Sequence, residues 1–326
     1  MIRRVLTIFL GLGLLAGAWL FHGLNDRPDL ALYASLEMPP ATPEPGAARV
    51  MFLGVSTLLV SDGESSILID GFFSRPGLLA TAFRKIGPDR AVISRALSRA
   101  GIDKLDAIIT CHSHYDHAMD APQVARRTGA TLYGSISTAW LARGQDLPEG
   151  QIRVVRGGEH LRFGNFEVDL VRSAHVDHGQ AMGSLDEALI PPAHALEYLE
   201  GGSFSILIGH AGRRMLVQSS AGFVEGALAG ESADVVFLGV GLLGRSEPEY
   251  QFAYWQETVD AVGASRVIPI HWDDFTRPLH EPLVALPRLL DDFPASMRFI
   301  KDRALADGVD VRMPPAWVSI DPFSGL

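Results

Sequence analysis

Short apolar runs punctuated by glycine, proline and polar turns recur from about residue 48 to the C-terminus, and amphipathic stretches lie between them. Residues 50–60 and 66–70 read as strands joined by the turn Ser61-Asp62-Gly63-Glu64. Residues 105–110 form a short apolar run rich in β-branched residues, as a buried strand would, while residues 166–171 alternate apolar and polar positions. Residues 267–270 are a further apolar strand. The spacing predicts helices over 90–99, 121–128, 136–142, 223–229, 248–262 and 280–290. Strands alternating with helices place the chain in the α/β to α+β class. Residues 176–202 carry Gly179, Gly183, Pro191, Pro192, Gly201 and Gly202 and read as a long loop with a short helix at 193–199. Loops of that length in a folded domain are usually functional or mobile.

The N-terminus follows a different pattern. Arg3 and Arg4 precede residues 5–21, where Thr7 is the only polar side chain. Such a segment is a signal peptide or a single membrane anchor, and Ala16-Gly17-Ala18 offers a small-x-small cleavage pattern. Its length is at the short limit for a span. An uncleaved anchor is the favoured expectation, with the catalytic domain exported to the periplasmic or extracytoplasmic side. The expected organisation is therefore a signal or anchor at 1–24, a linker at 25–47 and one domain at 48–326. Pro28, Pro39, Pro40, Pro43 and Pro45 favour extended conformations in the linker.

Composition narrows the function. The chain has 326 residues, 47% of them hydrophobic, which is ample for a sizeable core. A formal charge of −10, with no Lys/Arg run beyond the first residues, argues against a nucleic-acid partner. The single cysteine, Cys111, excludes an intrachain disulfide. No Walker sequence or Gly-x-Gly-x-x-Gly segment suggests a nucleotide cofactor.

The chemistry is concentrated at Thr110-Cys111-His112-Ser113-His114-Tyr115-Asp116-His117. His112, His114, Asp116 and His117 are imidazole and carboxylate donors suited to Zn²⁺, Mn²⁺ or Fe²⁺. In an extended stretch His112 and His114 point the same way and can share one metal. Asp116 and His117, past the turn, can face a second.

This segment resembles the His-x-His-x-Asp-His signature of the metallo-β-lactamase superfamily, and the resemblance extends over residues 48–326. It implies a four-layer αββα sandwich with the metal site at one edge between two sheets. It places the third ligand of the first metal at His175, with His178 as a rival, and completes the second metal with His271. Asp70, at the end of the strand over 66–70, corresponds to an Asp that braces the ligand loop. Asp273 and Asp274 are expected to orient a ligand or cap a helix. Ser220 stands where most dinuclear members have a bridging Asp, and a neutral hydroxyl cannot offset two divalent cations. One metal, two bridged by hydroxide, or a carboxylate from elsewhere are the alternatives, and two metals bridged by hydroxide is the favoured one.

The resemblance implies a metal-dependent hydrolase using a metal-bound hydroxide on an ester, lactone or phosphodiester. Ser113-His114-Tyr115-Asp116-His117, Ser220-Ala221-Gly222-Phe223 and residues 268–275 look most like the lactonase-like and phospholipase D-like branch. The implied partner is a small-molecule or lipid-derived substrate, with contact to a membrane through the N-terminal segment. The alternative is a metal-binding module without turnover, disabled at Ser220. Residues 72–77 are candidates for the substrate entrance.

Overall fold

Two seven-stranded sheets packed face to face hold most of the buried apolar side chains. The structure, a computed structural model, describes residues 17–42 and 44–326. The strands of the first half are β1 (Arg49–Phe52), β2 (Leu58–Ser61), β3 (Ser66–Ile69), the two-residue β4 (Lys85–Ile86), β5 (Ala107–Ile109), β6 (Thr131–Gly134) and β7 (Ile152–Val154). The second half adds β8 (His160–Phe163), β9 (Phe166–Ser173), β10 (Ala193–His194), β11 (Ser203–His210), β12 (Arg213–Gln218), β13 (Val235–Gly239), β14 (Arg266–Ile270), β15 (Asp310–Val311) and β16 (Ser319–Ile320). One sheet runs β16-β1-β2-β3-β5-β6-β7, the other β15-β14-β13-β12-β11-β9-β8, and β4 pairs with β10 apart from both.

The helices cover the outer faces. Among the described residues they are α1 (17–25), α2 (Leu78–Phe83), α3 (Arg90–Ala100), α4 (Tyr115–Ala118), α5 (Ala121–Thr128), α6 (Ile136–Gly144), α7 (Pro248–Trp255) and α8 (Phe293–Asp307). Alternation along β3 shows how four layers form. Ile67 and Ile69 point into the core between the sheets, whereas Leu68 packs under Ile93, Leu97 and Val124 of α3 and α5. Strands buried on both faces need continuous apolar sequence, which β3, β5 and β13 supply. Tyr254, Trp255, Met297 and Ile300 of α7 and α8 cover the second sheet. The αββα sandwich expected from the sequence is therefore present.

Several local expectations need correction. Residues 50–60 are not one strand: Gly54 (φ +100°) and Val55 (φ +54°) turn the chain, so β1 and β2 pair antiparallel. Residues 223–229 form turns, since Gly226 adopts a left-handed φ of +69°. Residues 280–290 are turn and loop, because Pro282 and Pro287 have no amide to give to a helix. The long helix lies just beyond, at α8, with the Asp292 side chain accepting from Ala295 N and Gly308 closing its end. The Pro-rich stretch is not extended throughout. Residues Leu30–Leu36 form a 3₁₀ helix, and Leu30, Tyr33 and Leu36 pack against the core.

The membrane expectation is also corrected. Residues 1–16, which carry most of the apolar N-terminal segment, lie outside the described residues. Among the described residues no helix is long and apolar enough to cross a membrane.

The β2–β3 turn joins the two sheets. Asp62 Oδ1 accepts from Glu64 N (2.9 Å) and Ser65 N (2.8 Å), while Oδ2 accepts from Asn165 (3.0 Å) and His210 Nε2 (3.2 Å). Burial pushes this carboxyl up, but the hydrogen bonds from Ser65, Asn165, Glu64 and His210 outweigh it and hold the pKa at about 2. A depressed carboxylate stabilises the fold above its unfolded value and loses that contribution as pH falls through the folded one. Unfolding free energy measured in denaturant is expected to drop between pH 4 and 2 in the wild type, and the gap to Asp62→Asn to shrink over the same window.

Candidate metal centre

Both sheets pin the segment that follows β5. Thr110 N donates to Tyr133 O (2.9 Å) and Cys111 N to Asp70 Oδ1 (2.7 Å) on the first sheet's side. Phe204 N donates to Cys111 O (2.9 Å), and Ser113 N to Glu200 O (2.8 Å), from the second. His112 leaves this anchored stretch, His114 occupies the N-cap of α4, and α4 presents Asp116 and His117. His175 follows β9, and His271 follows β14 with a left-handed φ of +58°. Ligands at strand ends thus sit on rigid backbone.

The six side chains form two adjoining triads. Ring nitrogens of His112, His114 and His175 lie within 4.8 Å of one another, as do the donor atoms of Asp116, His117 and His271. Asp116 Oδ2 is 3.6 Å from His117 Nε2 and 3.4 Å from His271 Nε2, and those two nitrogens are 3.2 Å apart. The His112 and His117 ring centroids, one from each triad, are 3.8 Å apart.

These residues fit a metal by their own chemistry. His112 is fully buried, yet neither ring nitrogen has a partner among the described residues. An orphaned buried imidazole is costly unless something binds it. His114 Nε2 donates to Ala181 O (3.2 Å) and His175 Nδ1 to Val176 O (2.6 Å), since carbonyls can only accept. Each bond leaves the opposite ring nitrogen free as a donor atom. Burial, with neighbouring histidines, pushes His112 well below its ordinary value and His175 down to about 3; burial also lowers His114. All three are therefore neutral at pH 7, as ligation requires. Burial opposes the charge on Asp116, but His117 and His271 outweigh it and hold its carboxyl well below the usual range. For His271 burial opposes protonation, and the Asp116 carboxylate outweighs it and raises the pKa.

Asp70 Oδ2 accepts from His117 Nδ1 (2.8 Å) and Ser56 Oγ (2.5 Å), so it braces the ligand loop. Asp273 touches neither triad. Its Oδ1 accepts from Val55 N (2.7 Å), its Oδ2 pairs with Arg75 (2.6 Å), and Val55 O accepts from His271 N (2.6 Å). A Cβ at Gly54 would collide with the Arg75 guanidinium, so this turn needs glycine. Phe72, Phe73 and Arg75 are buried and are structural, not the entrance. His178 is exposed, its ring 5.1 Å from that of His175, and belongs to neither triad. Ser220 Oγ accepts from Val176 N (3.0 Å) and so fixes the backbone beside His175. No carboxylate replaces it in either triad. Cys111 is buried, and burial pushes its thiol well up.

A cavity of about 580 Å³ opens from the centre. Its floor includes His114, Asp116, His175, Ser220 and His271, and its walls include Leu78, Ala82, Leu196, Phe275, Leu286 and Leu290. Asp291 lines it too, a residue the sequence reading did not single out. The loop over 176–202 borders it through Ala181, Ala195 and Leu196, as its position after His175 suggested. Tyr198 is buried and donates to Ile86 O (3.1 Å).

The profile of the Beta-lactamase superfamily domain matches residues 66–272, which contain all six triad residues. The chain belongs to this superfamily. A UPF0173 metal-dependent hydrolase of Rubrobacter xylanophilus is 26% identical over 234 residues, 71% of this chain and 84% of that protein. A relative of the same name in Cupriavidus taiwanensis is 27% identical over 147 residues, a match spanning 44% of this chain and 46% of the relative. Among solved structures, the metallo-beta-lactamase fold protein YhfI from Bacillus subtilis has a TM-score of 0.51 at 14% identity, covering 84% of this chain and 98% of its own. Igni18, a metallo hydrolase from Ignicoccus hospitalis, has a TM-score of 0.50 at 15% identity, covering 84% and 97%. These likenesses show the fold.

Ser220→Ala removes the acceptor of a buried amide. It is expected to cost about 1–3 kcal/mol in denaturant unfolding while leaving metal stoichiometry unchanged. Asp70→Ala, by contrast, releases His117 and is expected to weaken metal binding by about 10–100-fold, read by metal titration.

Proposed function

We propose that this chain hydrolyses a carboxylic ester or lactone with an apolar acyl portion, using metal held by the two triads. The chain is a metal-dependent hydrolase of its superfamily. His112, His114 and His175 would hold one ion, and Asp116, His117 and His271 a second, with Zn²⁺, Mn²⁺ or Fe²⁺ as the chemically suited choices. A divalent ion bound there supplies Lewis acidity and makes hydroxide available near neutral pH.

The observation that carries the substrate class is the lining of the cavity. Leucine, alanine and phenylalanine side chains form its walls, and no Lys or Arg is among its lining residues. Beyond the metal ions themselves, a phosphodiester anion would find no Lys or Arg in the cavity to hold its remaining oxygens. An apolar acyl group gains from burial against these walls at about 0.8 kcal/mol per methylene. The protein's own part in the reaction is to orient the ligands, exclude water with the apolar walls and keep Asp116 ionised beside His117 and His271.

The competing reading, a metal-binding module without turnover, rests on Ser220 in place of an acidic residue. A panel of p-nitrophenyl esters from acetate to octanoate, lactones and bis-p-nitrophenyl phosphate separates the two. Metal-loaded protein is expected to hydrolyse esters with kcat/KM rising up to about fourfold per added methylene, and His112→Ala to abolish turnover. Preference for the phosphodiester would overturn the substrate class. Inertness across the panel, unchanged by His112→Ala, would favour the binding module.

A further inference from the structure

Three of the five histidines in the two triads commit one ring nitrogen to a protein acceptor: His114 to Ala181 O, His175 to Val176 O and His117 to Asp70 Oδ2. His271 does not. Its Nδ1 is buried and has no partner among the described residues. That atom faces the turn at Gly241, where a Cβ would lie 3.1 Å from it. The next residue, Leu242, donates its amide to Asp291 Oδ1 (3.2 Å). Asp291 is fully buried, and its Oδ2 likewise has no partner among the described residues. A buried donor and a buried acceptor, each unpaired, thus flank one two-residue turn in the lining of one cavity.

We propose that Asp291 is the positioning residue for His271, accepting from its Nδ1–H, directly or through one water, so that Nε2 turns its lone pair to the second metal. This rests on the two-triad reading of the metal centre. The logic is the one already visible at His117, where Asp70 takes Nδ1 and Nε2 faces the triad. Other acceptors near His271 are spoken for. Asp273 is committed to Val55 N and Arg75. No backbone carbonyl makes a hydrogen bond of good geometry to His271 Nδ1 among the described residues. Leaving two complementary groups buried and unpaired is costly for each, which is the physical drive for the pairing. In this account the carboxylate absent at Ser220 is compensated at a distance: Asp291 raises the basicity of a ligand instead of bridging the ions.

The test is metal titration of the full chain with Zn²⁺, reading both stoichiometry and the two dissociation constants for wild type, Asp291→Ala and Asp291→Asn. The wild type is expected to bind two equivalents. Asp291→Ala is expected to weaken the second by about 10–100-fold and leave the first unchanged, and Asp291→Asn, whose amide oxygen still accepts, to recover part of the loss. In a His271→Ala background Asp291→Ala should add nothing. A His271 Nδ1–H resonance protected from exchange in wild type and lost in Asp291→Ala gives a readout independent of affinity. Unchanged second-site binding in Asp291→Ala, or equal weakening of both sites, would overturn the assignment. A wild type that binds a single equivalent would instead overturn the two-site reading beneath it.

Discussion

The hydrogen bond from His117 Nδ1 to Asp70 Oδ2 holds the rest of the centre in register. Asp70 ends β3 and accepts Cys111 N through its other oxygen, while its own amide donates to Ile109 O (2.9 Å). One buried carboxylate therefore ties the end of β3 to the end of β5 and to the ring of a triad residue. Its left-handed φ of +56° is part of that arrangement, since the strand must turn sharply to aim the carboxylate back at the ligand loop. Such strain persists where the surroundings over-determine it. Ser56, from the β1–β2 turn, joins the same carboxylate, so a third strand connection is locked to it.

The electrostatic design of the centre is lean. The triads contain one carboxylate, Asp116, and five imidazoles. Neutral ligands would leave more of a bound cation's charge uncompensated, which would strengthen its Lewis acidity and weaken its retention. The remaining acidic groups stand back: Asp70 behind His117, Asp273 behind the backbone of His271, Asp291 across the Gly241–Leu242 turn. Ser220, in the place of a bridging acid, instead holds Val176 N and through it the backbone of His175.

How much of this was legible in the chain differs by residue. The cluster at 112–117 declared itself through donor density, whereas His175 and His271 were named through the superfamily resemblance, which places ligands at the ends of such strands. Asp70, expected from the resemblance to brace the ligand loop, accepts from His117 Nδ1 and Cys111 N. The apolar runs carried only the α/β to α+β class, while the four-layer sandwich came from the resemblance to the superfamily, whose fold the two packed sheets match. Elements whose conformation rests on single prolines or glycines were missed, as at 280–290, although Asp292, Pro294 and Gly308 bracket α8 with recognisable start and stop signals. The Arg75–Asp273 pair, 198 positions apart in sequence, and the Asp291 site carry no local pattern at all. They exist only once the sandwich brings the 53–57 turn, β14 and the 285–291 loop together.

On this reading two separate triads, not one, would hold metal. Anomalous diffraction from crystals grown with Zn²⁺, recorded on both sides of the zinc edge, tests it most directly. Two peaks are expected, one among His112, His114 and His175 and one among Asp116, His117 and His271. A single peak, or a second outside the Asp116 triad, would contradict it.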